Sequence, residues 1–110
     1  MNNEKEKFKI NFIDVDSVSA NYCNPKKAWL ELLESLDHIR KNFKNSQIEP
    51  EELKIVLSED ENIHNNIPDL NTIMALIDTI DRYVKEYKIP NSIKLFLEFK
   101  RHAAVYMFSI

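Results

Sequence analysis

The side chains best suited to nucleophilic or metal chemistry in this chain are one cysteine and three histidines. Cys23 precedes Asn24-Pro25, a helix-start signal, and the N-terminus of a helix favours the reactive thiolate form of a cysteine. His38, His64 and His102 would supply bases or metal ligands. However, none of these residues has the close spacing of zinc ligands, and no partner groups complete a catalytic triad. The sequence therefore predicts no catalytic residue, no metal site and no cofactor.

Acidic pairs and an arginine–histidine pair are the remaining candidates for chemistry. Asp14 and Asp16 could bind magnesium together with other carboxylates, but such pairs are ordinary on solvated surfaces. Helical ribonucleases often use an arginine with a histidine a few residues later. Here Arg101 and His102 are adjacent, a spacing that does not aim both side chains at one phosphate. The pattern therefore favours a protein that is not an enzyme.

The composition excludes several further classes of function. The 110 residues contain no glycine, which rules out glycine-rich phosphate loops and the dinucleotide-binding turn. The net charge of −3 argues against nucleic-acid binding through bulk charge, although a local basic patch stays open. A single cysteine allows no internal disulfide, and the polar first residues lack the apolar stretch of a secretory signal. Since no run of about 18 apolar residues occurs, we expect a cytoplasmic protein with no membrane contact.

Proline and asparagine mark the starts of the predicted helices, at Asn24-Pro25, Glu49-Pro50, Ile67-Pro68 and Pro90-Asn91. Apolar residues at three- and four-residue steps predict that the first, third and fourth helices are long. Residues 50–58 fit a short helix better than a short strand. The acidic, polar residues 58–66 are interpreted as a loop. The fold expected is all-α, a small helical bundle of three long helices and one short one.

The N-terminal region does not follow the helical pattern. Residues 1–7 are polar and are expected to form a mobile tail before a single helical domain over residues 8–110. Phe8, Ile10 and Phe12 alternate with polar residues, which is typical of a half-buried strand. Two alternatives follow from this pattern. The strand either forms a β-hairpin with a return strand over 18–22, or it lies as an extended arm across the helices.

The last helix carries apolar residues on two sides, more than one buried face requires. One broad face contains Ile93, Phe96, Leu97, Ala103, Ala104 and Met107, and the second contains Leu95, Phe99, His102 and Tyr106. Either this helix is the central element of the bundle, with both faces buried, or one face meets another chain. The predicted core consists of Trp29, Leu32, Leu36, Ile73, Met74, Ile77, Phe96, Leu97 and Ala104.

These observations indicate a non-enzymatic protein-interaction module, such as a small bacterial or phage inhibitor, immunity protein or accessory subunit. Residues 49–61 hold six acidic residues and a single lysine, a charge that would speed association with a basic partner. Interface hot spots usually centre on aromatic residues inside a polar rim. The predicted partner-binding residues are therefore Phe99, Tyr106 and Phe108, with Glu59, Asp60 and Glu61 as steering charges.

Two alternative functions stay open at this stage. Lys94, Lys100 and Arg101 line the last helix and would contact nucleic acid if the chain were an RNA-associated subunit of a ribonucleoprotein. The chain could also be a homodimeric helical protein whose last helices pair across a two-fold axis.

Overall fold

The computed structural model describes residues 8–13 and 24–110, and within them the chain forms five helices and one small sheet. The elements are β1 (Phe12–Ile13), α1 (Pro25–Asn45), α2 (Glu51–Val56), α3 (Glu61–Asn65), β2 (Ile67–Pro68), α4 (Leu70–Tyr87) and α5 (Ser92–Ser109). The predicted all-α bundle is therefore confirmed. Several expectations lie outside the described residues, namely the tail over 1–7, the return strand over 18–22, and the interpretations of Asp14, Asp16 and Cys23.

Helix α1 begins where the sequence places its cap. The Asn24 side chain accepts hydrogen bonds from the backbone N–H groups of Lys26 and Lys27, at 2.9 and 3.2 Å, and Pro25 occupies the first turn of α1. Helix α4 begins at Leu70, two residues later than a proline at its first position would place it. Asp69 caps it by accepting the Thr72 N–H at 2.9 Å.

The region between the first two long helices contains more helix than expected. The short helix predicted within 50–58 is confirmed as α2. The loop predicted over 58–66 is wrong in part, because α3 occupies Glu61–Asn65. The Asp60 side chain accepts the Asn62 N–H at 2.8 Å, and Ile63 is buried. One local cap and one buried side chain are thus enough to hold this single turn, although Ile63 is the only apolar residue of the segment 58–66.

The N-terminal arm pairs with a distant segment. Strand β1 runs antiparallel to β2, with Phe12 opposite Pro68 and Ile13 opposite Ile67. The Asn11 N–H also donates to Thr72 Oγ1 at 3.0 Å, which ties the arm to the first turn of α4. Pro68 therefore pairs with the arm instead of opening the helix.

The core lies mainly between α1 and α5, with one face of α4 completing it. The indole N–H of Trp29 donates to the carbonyl of Ile63 at 2.8 Å, and the Tyr106 hydroxyl donates to the carbonyl of Pro68. The two aromatic rings are 5.8 Å apart and tilted. These contacts join α1, α3, β2 and α5 at one end of the bundle, since both polar groups of the aromatic pair are satisfied there.

The predicted core is wrong for three of its members. Met74, Leu97 and Ala104 are exposed, whereas the remaining predicted core residues are buried or half-buried. In their place α5 buries Phe99 and Tyr106 against α1. The physical reason is area, because two large aromatic side chains remove more apolar surface from water than a leucine and an alanine do.

Within residues 8–13 and 24–110, three residues adopt left-handed backbone angles, and none of them is glycine. Gln47 has φ of 64°, Lys88 has φ of 50° and Asn91 has φ of 64°. Lys88 and Asn91 flank the short connection between α4 and α5. Left-handed geometry costs about 1–2 kcal/mol for a residue with a Cβ, less for asparagine. The tight connection that sets α4 beside α5 therefore stores strain at Lys88.

Candidate protein-contact surface

Seven large apolar side chains on α4 and α5 are exposed to solvent, and five of them are exposed by half or more. Leu70 is 50% exposed, Met74 52%, Ile93 67%, Leu97 59% and Phe108 90%. We refer to these five residues, together with the side chains between them, as the α4–α5 face. Isolated exposed leucines are normal, but a contiguous apolar patch on a small protein is a mark of a contact surface.

Two observations place α4 and α5 side by side in opposite directions. At the connection, Asp81, Lys85, Ile93 and Phe96 line a shallow groove of about 480 Å³ between the helices. At the other end, the Tyr106 hydroxyl of α5 donates a hydrogen bond to the carbonyl of Pro68, in the strand β2 that precedes α4. Ile93 thus marks the side of α5 that is nearest to α4.

Helical spacing extends this assignment along both helices. Leu70, Met74 and Asp81 recur at steps of four and seven, and therefore share the side of α4 that borders the groove. On α5, Leu97, Ala104 and Phe108 follow Ile93 at steps of four, seven and four. All three are exposed. Leu70, Met74, Ile93, Leu97 and Phe108 consequently lie on one surface.

Charged residues cross the middle of the α4–α5 face. Asp78 and Lys100 are both exposed, and the Lys100 ammonium lies 5.4 Å from the centre of the Phe96 ring. Asp81 is paired with Lys85 on its own helix at 3.1 Å. The face therefore has an acidic group on α4 and a basic group on α5, with apolar residues on either side of them.

The structure corrects two of the predicted partner-binding residues. Phe99 and Tyr106 are fully buried in the core, so neither is available to a partner. Phe108 is exposed as required. Sequence reasoning missed Ile93 and Leu97 as surface residues, although the neighbouring cations carried a signal. Lys94, Lys100 and Arg101 all lie on the solvent side of α5, and their positions marked the stripe that faces water.

The acidic segment Glu59–Glu61 is exposed and lies at the Phe108 end of the bundle. Its position follows from a chain of contacts. Ile63 accepts the Trp29 hydrogen bond, and Trp29 packs on Tyr106, which is two residues before Phe108. The structure thus brings the predicted steering charges to the same end of the molecule as the most exposed aromatic ring.

A second groove, of about 400 Å³, lies between α1 and α5 and gathers several of the candidate chemical groups. His38, Arg101 and His102 line it, whereas His64 lies elsewhere on α3. Three carboxylates share this lining, from Glu31, Glu34 and Glu98. They surround the one arginine with negative charge, which repels a phosphate group. In the described part of the chain, no cluster of three or more His, Cys, Asp or Glu residues could hold a metal ion.

Tyr106 is the titratable group most affected by the fold. Burial raises the pKa of its hydroxyl well above the ordinary value, and the nearby charge of Asp69 raises it further. The hydroxyl therefore stays protonated at neutral pH and donates to the Pro68 carbonyl. It is a structural group that holds α5 to the base of α4, since its only polar atom is engaged there.

Comparison with known proteins identified no relative of this chain. The chain matches no protein-family model, no curated protein and no solved structure. Among the described residues, no helix has both the length and the apolar character needed to cross a membrane.

Proposed function

We propose that this chain is a non-enzymatic protein-interaction module that binds another protein through the α4–α5 face. The observation that carries the proposal is the exposure, by half or more, of five large apolar side chains on one surface. Covering such a patch removes apolar area from water at about 25 cal/mol per Å². Leu97 and Phe108 would be its main anchors, because they lie along one stripe of α5 and are well exposed.

The proposed partner presents a basic surface beside an apolar one. Glu59, Asp60 and Glu61 would attract it, and opposite charges at the rim of an interface speed association more than they strengthen it. Small inhibitors, immunity proteins and accessory subunits act in this way. We place the protein, as a proposal, among such proteins of a bacterium or phage, acting in the cytoplasm.

RNA binding is the weaker alternative. Lys94, Lys100 and Arg101 are exposed, as an RNA-contacting surface needs. However, Arg101 borders the groove that holds three carboxylates, and Lys100 lies within the apolar face. Neutralising Lys94 and Arg101, which are exposed outside the five apolar residues of the α4–α5 face, should leave capture of a protein partner unchanged if that partner is correct. A steep loss of RNA affinity with salt would favour the alternative instead.

A pair of matched variants tests the proposed function. Leu97→Ser removes an anchor from the α4–α5 face, and Leu30→Ser removes a leucine of similar exposure, 47%, from α1. The immobilised wild type and both variants are exposed to an extract of the cells that naturally contain the protein. Quantitative mass spectrometry of the bound proteins should show a partner that Leu97→Ser retains at least about tenfold less well, a loss of about 1.4 kcal/mol. Equal retention by both variants would contradict the proposal.

A further inference from the structure

We propose that the α4–α5 face binds a second copy of this chain, with α4 of one protomer packed antiparallel on α5 of the other. This inference rests on the proposed function, because it names one occupant of the same face. In such a dimer the two α4–α5 pairs would pack face to face as a four-helix arrangement, with the two-fold axis between them and parallel to the helices.

The two helices present surface residues at the same spacing, read in opposite directions. Along α4 the groove side carries Leu70, Met74, Asp78, Asp81 and Lys85, at steps of 4, 4, 3 and 4 residues. Along α5, read backwards, the exposed side carries Phe108, Ala104, Lys100, Leu97 and Ile93, at the same steps. A two-fold axis parallel to the helices keeps every residue at its height along that axis. Because α4 and α5 lie antiparallel in the monomer, each residue of the α4 series then lies within about one helical turn of the corresponding residue on the partner's α5.

At the Leu70 end, the side chains that meet in this register are complementary in size, and at the other end Leu97 and Ile93 of the partner subunit would meet the Asp81–Lys85 ion pair. Leu70 would pack on Phe108 of the partner subunit, and Met74 would pack over Ala104 of the partner subunit. A long, flexible methionine opposite an alanine fills the space that the small side chain leaves. The apolar end of the face is thus covered on both protomers, since the symmetry repeats every contact.

The charges select this arrangement over the other two-fold packing of the same face. With α4 on the partner's α5, Asp78 would lie opposite Lys100 of the partner subunit, and the contact occurs twice. With α5 on the partner's α5, Lys100 and Arg101 would meet their own copies, and like charges at an interface disfavour the pairing. Asp81 is already neutralised by Lys85 on its own helix.

The size of the face indicates a weak dimer. Two helices of 18 residues, each about 27 Å long and about 10 Å wide, offer on the order of 500 Å² per protomer. The total of about 1,000 Å² is at the lower limit for a specific interface, so we expect a Kd in the micromolar range.

Charge reversal with mixing is the sharpest test of this dimer. Asp78→Lys places two lysines opposite each other, and Lys100→Asp places two aspartates opposite each other. Each variant alone should therefore sediment as a monomer at concentrations where the wild type dimerises. An equimolar mixture should form a one-to-one heterodimer with a Kd within about threefold of the wild-type value, because both contacts are then between opposite charges.

Control variants separate this effect from a general change of net charge. Glu34→Lys and Lys27→Asp change the charge by the same amounts at exposed positions on α1, and both should dimerise as the wild type does. Circular dichroism should confirm that all four variants fold, since surface substitutions usually change stability by about 0.5 kcal/mol or less.

Either of two results would overturn the dimer. One is a wild type that stays monomeric up to about 1 mM, the limit of weak association. The other is a mixture of the two charge variants that fails to associate. If the wild type is monomeric while Leu97→Ser still loses its captured partner, the second-copy inference fails and the proposed function stands. A dimer that captures no other protein would instead contradict the heterologous partner.

Discussion

The two sides of α5 have similar composition and opposite environments. The inner side places Phe99 and Tyr106 against α1, where both are fully buried, whereas the outer side leaves Leu97 and Phe108 in solvent. The difference lies in what the rest of the chain can cover. Helix α1 packs along the inner side, and α4 lies beside α5 without covering its outer stripe. This helix is apolar on both sides, but the chain itself covers only one of them.

The largest expected effect comes from truncating an apolar side chain on the inner side of α5, compared with the same change on the outer side. Phe99→Ala should lower the free energy of unfolding by about 3–5 kcal/mol, because it leaves a cavity in the core. Leu97→Ala, only two residues away, should change it by about 0.5 kcal/mol or less, because its side chain is largely in water. Urea unfolding followed by circular dichroism measures both. Similar losses for the two variants would mean that the outer side is also part of the core.

The second prediction concerns the polar end of the inner side. Tyr106→Phe keeps the ring against Trp29 and removes only the hydroxyl that donates to Pro68. The buried carbonyl would lose its partner, so we expect a loss of about 1–3 kcal/mol in unfolding free energy. If the variant is as stable as the wild type, the contact does not hold α5 to the base of α4.

The same hydroxyl predicts how stability depends on pH. The pKa of Tyr106 is raised in the folded state, so the folded protein favours the protonated form. Its contribution is complete below about pH 10, the ordinary tyrosine value, and is lost as the pH rises further. Tyr106→Phe should therefore have a flatter stability curve above pH 10 than the wild type. Parallel curves for the two proteins would rule out this linkage.

A smaller effect is expected from the acidic segment Glu59–Glu61 at the Phe108 end of the bundle. Replacing Glu59 and Glu61 by lysine reverses the charge at the Phe108 end and leaves the apolar contact intact. Association with the partner captured by the wild type should slow by about tenfold at low salt, with less change in the dissociation rate. Surface plasmon resonance at two salt concentrations measures this effect. A change confined to the dissociation rate would assign these residues to the contact itself.

The smallest effect concerns the connection that sets α4 beside α5. Lys88→Gly should stabilise the protein by up to about 1 kcal/mol, because glycine adopts the left-handed angles of Lys88 without strain but adds freedom to the unfolded chain. Thermal unfolding should compare the stability of Lys88→Gly with that of Lys85→Gly. The second variant, inside α4, should lose stability. Equal changes would exclude strain at Lys88.

The sequence was sufficient to predict where the long helices lie, but not which side of α5 is buried. Caps such as Asn24 and the three-to-four spacing are local signals, so α1, α4 and α5 were predictable. The pairing of Phe12 with Pro68 depends on residues far apart in the chain. The choice between Phe99 and Leu97 likewise depends on how α1 packs, which no local pattern contains. Only the cations beside Leu97 hinted at the answer.

Footprinting in the native cell extract tests the two-sided description of α5 most directly. Carbene labelling of the dilute, purified protein should modify Leu97, Phe108 and Leu30, since all three are exposed. In the extract we expect labelling of Leu97 and Phe108 to fall by at least about tenfold, as full coverage by a bound protein requires, with Leu30 unchanged. Equal labelling of all three residues in both conditions would contradict the account, because the outer side of α5 would then be uncovered in its own environment.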